Sequence, residues 1–257
     1  MLCAVASVAR PIARFSRPMC MTAVPDNLAE IRTAVKSAAE SAGRDRPPRL
    51  VAVSKTKPVE LLKAAYDAGQ RDFGENYVQE LISKAPEMPE DVEWRFIGKL
   101  QSNKAKPLVH GVPSLAVIET VDSKKLADKL QNAVASMDPP RETPLGVCIQ
   151  VNTSPWEGSK SGVLAEEVTP LCEHVTSACP NLKLIGLMTI GAPGESKCFD
   201  TLVECREAAA KALGVDVDAL ELSMGMSGDF QEAIARGSDS VRVGSSIFGA
   251  RDYPPKA

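Results

Sequence analysis

Short apolar segments alternate with amphipathic ones along most of this chain, and the alternation repeats eight times. Strands are predicted at residues 50–54, 71–74, 93–98, 115–121, 145–151, 182–188, 219–224 and 240–244. Between them, Pro58 suits the first turn of a helix and Asp122 precedes Leu126 and Leu130. The spacings Leu164/Val168/Leu171/Val175 and Phe199/Leu202/Val203/Leu213 mark one-sided helices. Strands that alternate with helices pair in parallel, because a parallel neighbour requires a crossover. Eight such units in about 200 residues favour a closed barrel over an open doubly wound sheet, which more often has fewer strands and a G-x-G-x-x-G after the first of them. No such glycine fingerprint occurs. The expected class is α/β, a single (β/α)8 TIM barrel with an additional N-terminal helix. That helix is predicted to open at Asp26, with Asn27-Leu28-Ala29-Glu30 as a capping box and Leu28, Ile31 and Val35 on one face, and to end at Gly43.

The 257 residues, 44% of them hydrophobic, are enough for one substantial core, and no linker or low-complexity tract divides them. Residues 26–257 are read as one domain. The preceding segment carries Arg10, Arg14 and Arg17 and no acid before Asp26, which resembles an organellar transit peptide. Residues 1–25 are therefore expected to be a flexible or targeting extension, leaving cytoplasm, mitochondrion and plastid open. No apolar run approaches the roughly 20 residues of a membrane-spanning helix. A net charge of −3, without a basic block interleaved with aromatics, argues against a nucleic-acid surface. Seven cysteines with no C-x-x-C pair read as reduced and not as a metal site. Cys172/Cys179 and Cys198/Cys205, each seven apart, are assigned to buried helix faces. His110 and His174 adjoin no Ser or Cys nucleophile motif, so triad chemistry has little support.

The chemistry gathers at strand ends. Lys55, in Leu50-Val51-Ala52-Val53-Ser54-Lys55-Thr56-Lys57-Pro58, places an amine at the carboxyl end of an apolar strand where a helix begins. Such an amine can form a Schiff base if its surroundings lower its pKa. Ser223-Met224-Gly225-Met226-Ser227-Gly228-Asp229 and Arg242-Val243-Gly244-Ser245-Ser246 follow the last two strands. Glycine lets backbone N–H groups approach an anion closely, and serine hydroxyls add donors. In a closed barrel the eighth strand neighbours the first, so amine and anion cup converge. The combination suits a ligand bearing both a carbonyl and a phosphate. It leaves open a Schiff-base aldolase acting on a sugar phosphate.

Six motifs in order make the choice narrower. Val51-Ala52-Val53-Ser54-Lys55-Thr56-Lys57-Pro58, Phe73-Gly74-Glu75-Asn76-Tyr77-Val78-Gln79-Glu80, Phe96-Ile97-Gly98-Lys99-Leu100-Gln101-Ser102-Asn103-Lys104, Gly186-Leu187-Met188-Thr189 and the two C-terminal segments resemble the pyridoxal phosphate homeostasis protein family. The resemblance runs from about Asp26 to Arg251. It implies a fold like the barrel domain of alanine racemase and pyridoxal 5′-phosphate (PLP) as cofactor. Carried over residue by residue, it makes Lys55 the Schiff-base lysine. Ser227, Gly244 and Ser245 become the phosphate cup, Arg242 the partner of the pyridine nitrogen, and Asn76 and Met188 the lining of the ring. A permanently charged guanidinium at that nitrogen makes the ring a weaker electron sink than an aspartate would.

A two-base racemase also needs a second proton-transfer group, and none of Tyr66, Tyr77 and Tyr253 is an evident substitute. The reading is thus a PLP-binding protein of cofactor homeostasis without robust catalysis. A weak amino-acid racemase and a Schiff-base aldolase are its alternatives. PLP-dependent apoenzymes are the expected partners, and a monomer is expected, with a weak dimer as the alternative. In two places the chain departs from the family pattern or bears on it without a role. Arg95 and Lys99 stand where the family commonly has histidines, and are expected to form a solvated strand-end pair. Lys160 lies in a loop resembling one that holds transient cofactor in the family, and no catalytic role is assigned to it.

Overall fold

A computed structural model describes residues 22–155, 161–192 and 194–250. Eight strands, β1 (Arg49–Val53), β2 (Asp72–Glu75), β3 (Glu93–Phe96), β4 (Leu115–Val121), β5 (Leu145–Gln150), β6 (Leu182–Met188), β7 (Glu221–Met226) and β8 (Ser240–Val243), pair in parallel in sequence order. The barrel closes where Leu50 and Ala52 of β1 lie opposite Val241 and Val243 of β8. Helices α1 (Ala23–Ser41), α2 (Val59–Asp67), α3 (Val78–Lys84), α4 (Ala105–Gly111), α5 (Lys124–Ala135), α6 (Ala165–Ala178), α7 (Lys197–Leu213), α8 (Phe230–Ala235) and α9 (Ser245–Phe248) surround it. The expected (β/α)8 barrel with an extra N-terminal helix is therefore the fold. Among the described residues, no helix is long and apolar enough to cross a membrane.

Several boundaries differ from the sequence reading, three of them for evident local reasons. The first helix starts at Ala23, because Val24 joins Leu28, Val35 and Ala39 in its buried stripe. Asn27 consequently lies inside the helix and is not its cap. Its side-chain amide donates to the Ile247 carbonyl at 3.1 Å and ties α1 to α9. The first 21 residues, which hold most of the proposed extension, lie outside the described residues. Strand β2 begins one residue late, since Arg71 is drawn aside to Asp91 and the Tyr66 carbonyl. Strand β7 begins two residues late because the Asp216 carboxylate accepts from the Asp218 N–H at 2.9 Å and winds Val217–Ala219 into a 3-10 turn.

The core between strands and helices is apolar, with Trp94, Phe73, Phe96, Leu62 and Ile118 fully buried. Cys172, Cys179, Cys198 and Cys205 are buried there as free thiols. The interior of the barrel is different. Arg95 of β3, Glu119 of β4, Ser223 of β7 and Arg242 of β8 meet across it, which is feasible only inside the closed sheet. Arg95 Nε donates to Glu119 Oε1 at 2.6 Å, the Ser223 hydroxyl donates to Glu119 Oε2 at 2.6 Å, and Arg242 donates to Ser223 Oγ at 2.6 Å. Arg95 is 4% exposed, so the expected solvated pair with Lys99 does not form. A parallel strand buried on both faces carries no polar alternation to reveal which residues point inward. Lys99 alone is exposed.

Glu119 is completely buried, yet its pKa lies below the ordinary carboxylate value. Burial would raise it, and the charges of Arg95 and Arg242 outweigh that burial. Removing it would take the carboxylate nearest to both guanidiniums and leave Arg95 with only the more distant Asp72 and Glu221, at 3.8 and 3.9 Å. Glu119→Ala is thus expected to cost about 3–5 kcal/mol in urea denaturation at neutral pH, and a wild-type midpoint would contradict this. Because the folded pKa is depressed, the carboxylate's contribution is present above its unfolded value and fades as pH falls through the lower folded value. The stability gap between wild type and Glu119→Gln should accordingly narrow below about pH 4.

Candidate ligand-binding site

The carboxyl ends of the strands enclose a cavity of about 390 Å³. Lys55 lies two residues beyond β1 and Asn76 one beyond β2, while Ser227 and Gly228 follow β7 and Gly244 and Ser245 follow β8. All line this cavity, with Arg242 among them. Six of the seven residues singled out from the sequence therefore share one space. Met188 does not line it. That side chain is fully buried with Val117 and Cys148 in the barrel, and Ile190, two residues further on, takes the place at the wall.

Close backbone approach builds two sides of the cavity. A Cβ on Gly98 would stand 2.0 Å from the Asn76 carbonyl oxygen, so only glycine lets the β3 loop press against Asn76. A Cβ on Gly244 would come within 3.1 Å of the Val53 carbonyl oxygen, which holds the β8 turn against the strand that delivers Lys55. The Gly244 N–H donates to Ser227 Oγ at 3.3 Å, joining the turns after β7 and β8 into one cup. Asp229 fixes the first of these turns by accepting from the Met226 N–H at 2.6 Å. The opening turn of α9 adds N–H groups that have no acceptor within the helix.

Arg242 forms part of the cavity wall and is clamped from behind. One guanidinium nitrogen donates to Ser223 Oγ and the other to the Thr189 carbonyl, each at 2.6 Å. Burial lowers its pKa from the ordinary value, with Glu119 opposing, and a guanidinium keeps its proton across the physiological range. The Asn76 side-chain oxygen is buried and has no hydrogen-bond partner among the described residues. Such an acceptor is costly unless something supplies a donor. Lys57, passed over in the sequence, also reaches the cavity and donates to the Ala250 carbonyl at 2.6 Å. Its position two residues after Lys55 was the available signal. Lys160 lies outside the described residues, as does Tyr253.

The arrangement combines amines, a buried cation, a Gly/Ser anion cup and an orphaned acceptor, which suits a small anionic ligand with a carbonyl. The family described as "Alanine racemase, N-terminal domain" matches residues 27–252. The chain belongs to that family. A mouse protein named pyridoxal phosphate homeostasis protein is 48% identical over 228 residues, 83% of this chain and 81% of the relative. The structure of PipY from Synechococcus elongatus with PLP bound superposes with a TM-score of 0.71 at 33% identity, covering 88% of this chain and all of that one. Alanine racemase from Corynebacterium glutamicum shares the fold at a TM-score of 0.64 and 15% identity, and this chain covers 64% of it.

The close approach at Gly98 can be tested directly. Gly98→Ala should destabilise the family member by about 1–3 kcal/mol in urea denaturation. Gly228→Ala, with open space around its Cβ, should change stability by less than about 0.5 kcal/mol. Equal midpoints for the two variants would contradict the packing described.

Proposed function

We propose that this protein binds pyridoxal 5′-phosphate at Lys55 and controls its intracellular availability, holding the cofactor reversibly and not using it for robust catalysis. The observation that carries the reading is the convergence of Lys55, the Ser227/Gly244/Ser245 cup and Arg242 on one cavity. Asn76 lines the same cavity, and its buried side-chain oxygen has no hydrogen-bond partner among the described residues. The homeostasis name of relatives as similar as the mouse protein supports the same reading.

When bound, the cofactor supplies an aldehyde that an unprotonated amine takes up with loss of water and returns on hydrolysis. Lys55 is the residue placed to provide that amine. Ser227, Gly244 and Ser245 would hold the phosphate through hydroxyl and backbone N–H donors. Arg242 would meet the ring nitrogen as a fixed donor. Its guanidinium cannot readily accept a proton or swing away, because Ser223 and Thr189 hold both ends.

The same clamp favours holding over catalysis, since a donor at the ring nitrogen limits carbanion stabilisation. Tyr66 is committed elsewhere, donating to Asp91 at 2.5 Å beneath the Arg71 guanidinium. Tyr77 is exposed at the head of α3 and does not line the cavity. PLP-dependent apoenzymes are the proposed recipients.

Wild-type protein mixed with PLP and passed through gel filtration should retain cofactor, and Lys55→Ala should lose the covalently retained fraction. Ser227→Ala with Ser245→Ala should weaken retention by about 1.5–3 kcal/mol for each lost hydrogen bond to the phosphate. Undiminished retention in the serine double variant would remove the cup from the assignment. Amino-acid turnover by wild type that vanishes in Lys55→Ala would favour a racemase instead.

A further inference from the structure

Thr56, the residue after Lys55, has φ of +62° and is the only non-glycine residue with positive φ among the described residues. The left-handed region is uncommon for any residue with a Cβ and a genuine outlier for a β-branched one. Strain of this kind persists only where surrounding contacts impose it.

Those contacts converge on Lys84. The Thr56 N–H donates to Glu80 Oε1 at 2.6 Å. The same oxygen accepts from the Lys84 ammonium at 2.6 Å. The ammonium also donates to Glu75 Oε1 at 2.7 Å and to the Ser54 carbonyl at 2.9 Å, which uses all three of its protons. Ser54 Oγ donates to Glu75 Oε1 at 2.7 Å. The Lys84 side chain is 7% exposed and that of Glu75 is wholly buried. Both neighbours of Lys55 in the chain are thus tied into one network, Ser54 by its carbonyl and hydroxyl and Thr56 by its N–H. None of Glu75, Glu80 and Lys84 lines the cavity.

The spacing of the motif explains the construction. Glu75 ends β2, Glu80 sits in the first turn of α3, and Lys84 follows one helical turn later on the same face. The segment Phe73-Gly74-Glu75-Asn76-Tyr77-Val78-Gln79-Glu80 therefore contributes Asn76 to the cavity wall and two carboxylates to the rear of the Lys55 turn. A buried ion pair is weak support for overall stability, because desolvation offsets its attraction. A positioning task accounts for its retention better.

We propose that Glu80, held in place by Lys84 and Glu75, is a positioning residue that keeps Thr56 left-handed and so aims the Lys55 amine into the cavity. The proposal rests on Lys55 being the binding amine. It predicts a specific rescue, because glycine adopts a positive φ without help. Glu80→Ala leaves Lys84 with two of its acceptors, so the chain should still fold. The initial rate of PLP adduct formation on Lys55, trapped with borohydride and mapped by peptide, should fall at least tenfold in Glu80→Ala. Thr56→Gly introduced into that variant should recover most of the loss. A purely structural network would leave the rate unchanged or give a loss that Thr56→Gly does not repair, and either result overturns the proposal.

A second series needs no cofactor. Reductive methylation with formaldehyde and cyanoborohydride, read at Lys55 against the exposed Lys63, should change at least threefold in Glu80→Ala and return towards the wild-type ratio with Thr56→Gly. An unchanged Lys55/Lys63 ratio counts against the clamp. Wild-type protein that forms no PLP adduct would sink the proposed function, while the methylation series would still decide the clamp.

Discussion

Glu119, the fully buried carboxylate that meets Arg95 and Ser223 inside the barrel, holds the interior together. Through Arg95 it fixes β3, through Ser223 it reaches β7, and through Ser223 it orients Arg242 of β8. Each of these groups would be costly if left unpaired away from water, so they are tolerable only as a set. The consequence for the site is rigidity. A cation at the wall of the cavity is fixed by the fold, before any ligand arrives.

A similar economy applies at the rim. Lys55 stands between two residues that are bound from behind by Lys84 and the carboxylates of Glu75 and Glu80. Gly98 and Gly244 let the neighbouring loops close on this turn without a side chain in the way. The cavity is thus shaped by groups outside it, which is how a barrel with apolar walls can present polar atoms at defined positions. Charged contacts that would contribute little on the surface become decisive where water is excluded.

Much of this was legible in the sequence because it depends on local chemistry. Eight apolar segments with helices between them favour a closed barrel, and the residues at their carboxyl ends then share its mouth. Lys55 and the Ser227, Gly244 and Ser245 cup could be read in this way, whereas Asn76 and Arg242 came from the family resemblance, and all six line the cavity. Arg95 could not be placed. In a strand buried on both faces nothing in the pattern says which side chain enters the barrel, and a long cation next to a strand end reads as solvated. Met188, assigned to the ring by the family resemblance, lies buried two residues before Ile190, which stands at the cavity wall. The left-handed turn at Thr56 was hidden because threonine gives no signal for positive φ, unlike glycine. Lys57 was visible but unused, since a single amine already satisfied the chemistry.

The central claim is that Lys55 is the amine that holds pyridoxal phosphate. Borohydride reduction of the protein after incubation with the cofactor, followed by peptide mapping, tests it most directly. A pyridoxyl group on the peptide containing Lys55, absent from the same peptide in Lys55→Ala, is the expected result. A protein that stays unmodified, or one labelled only at surface lysines, would contradict it and return the site to an unassigned phosphate-binding cavity.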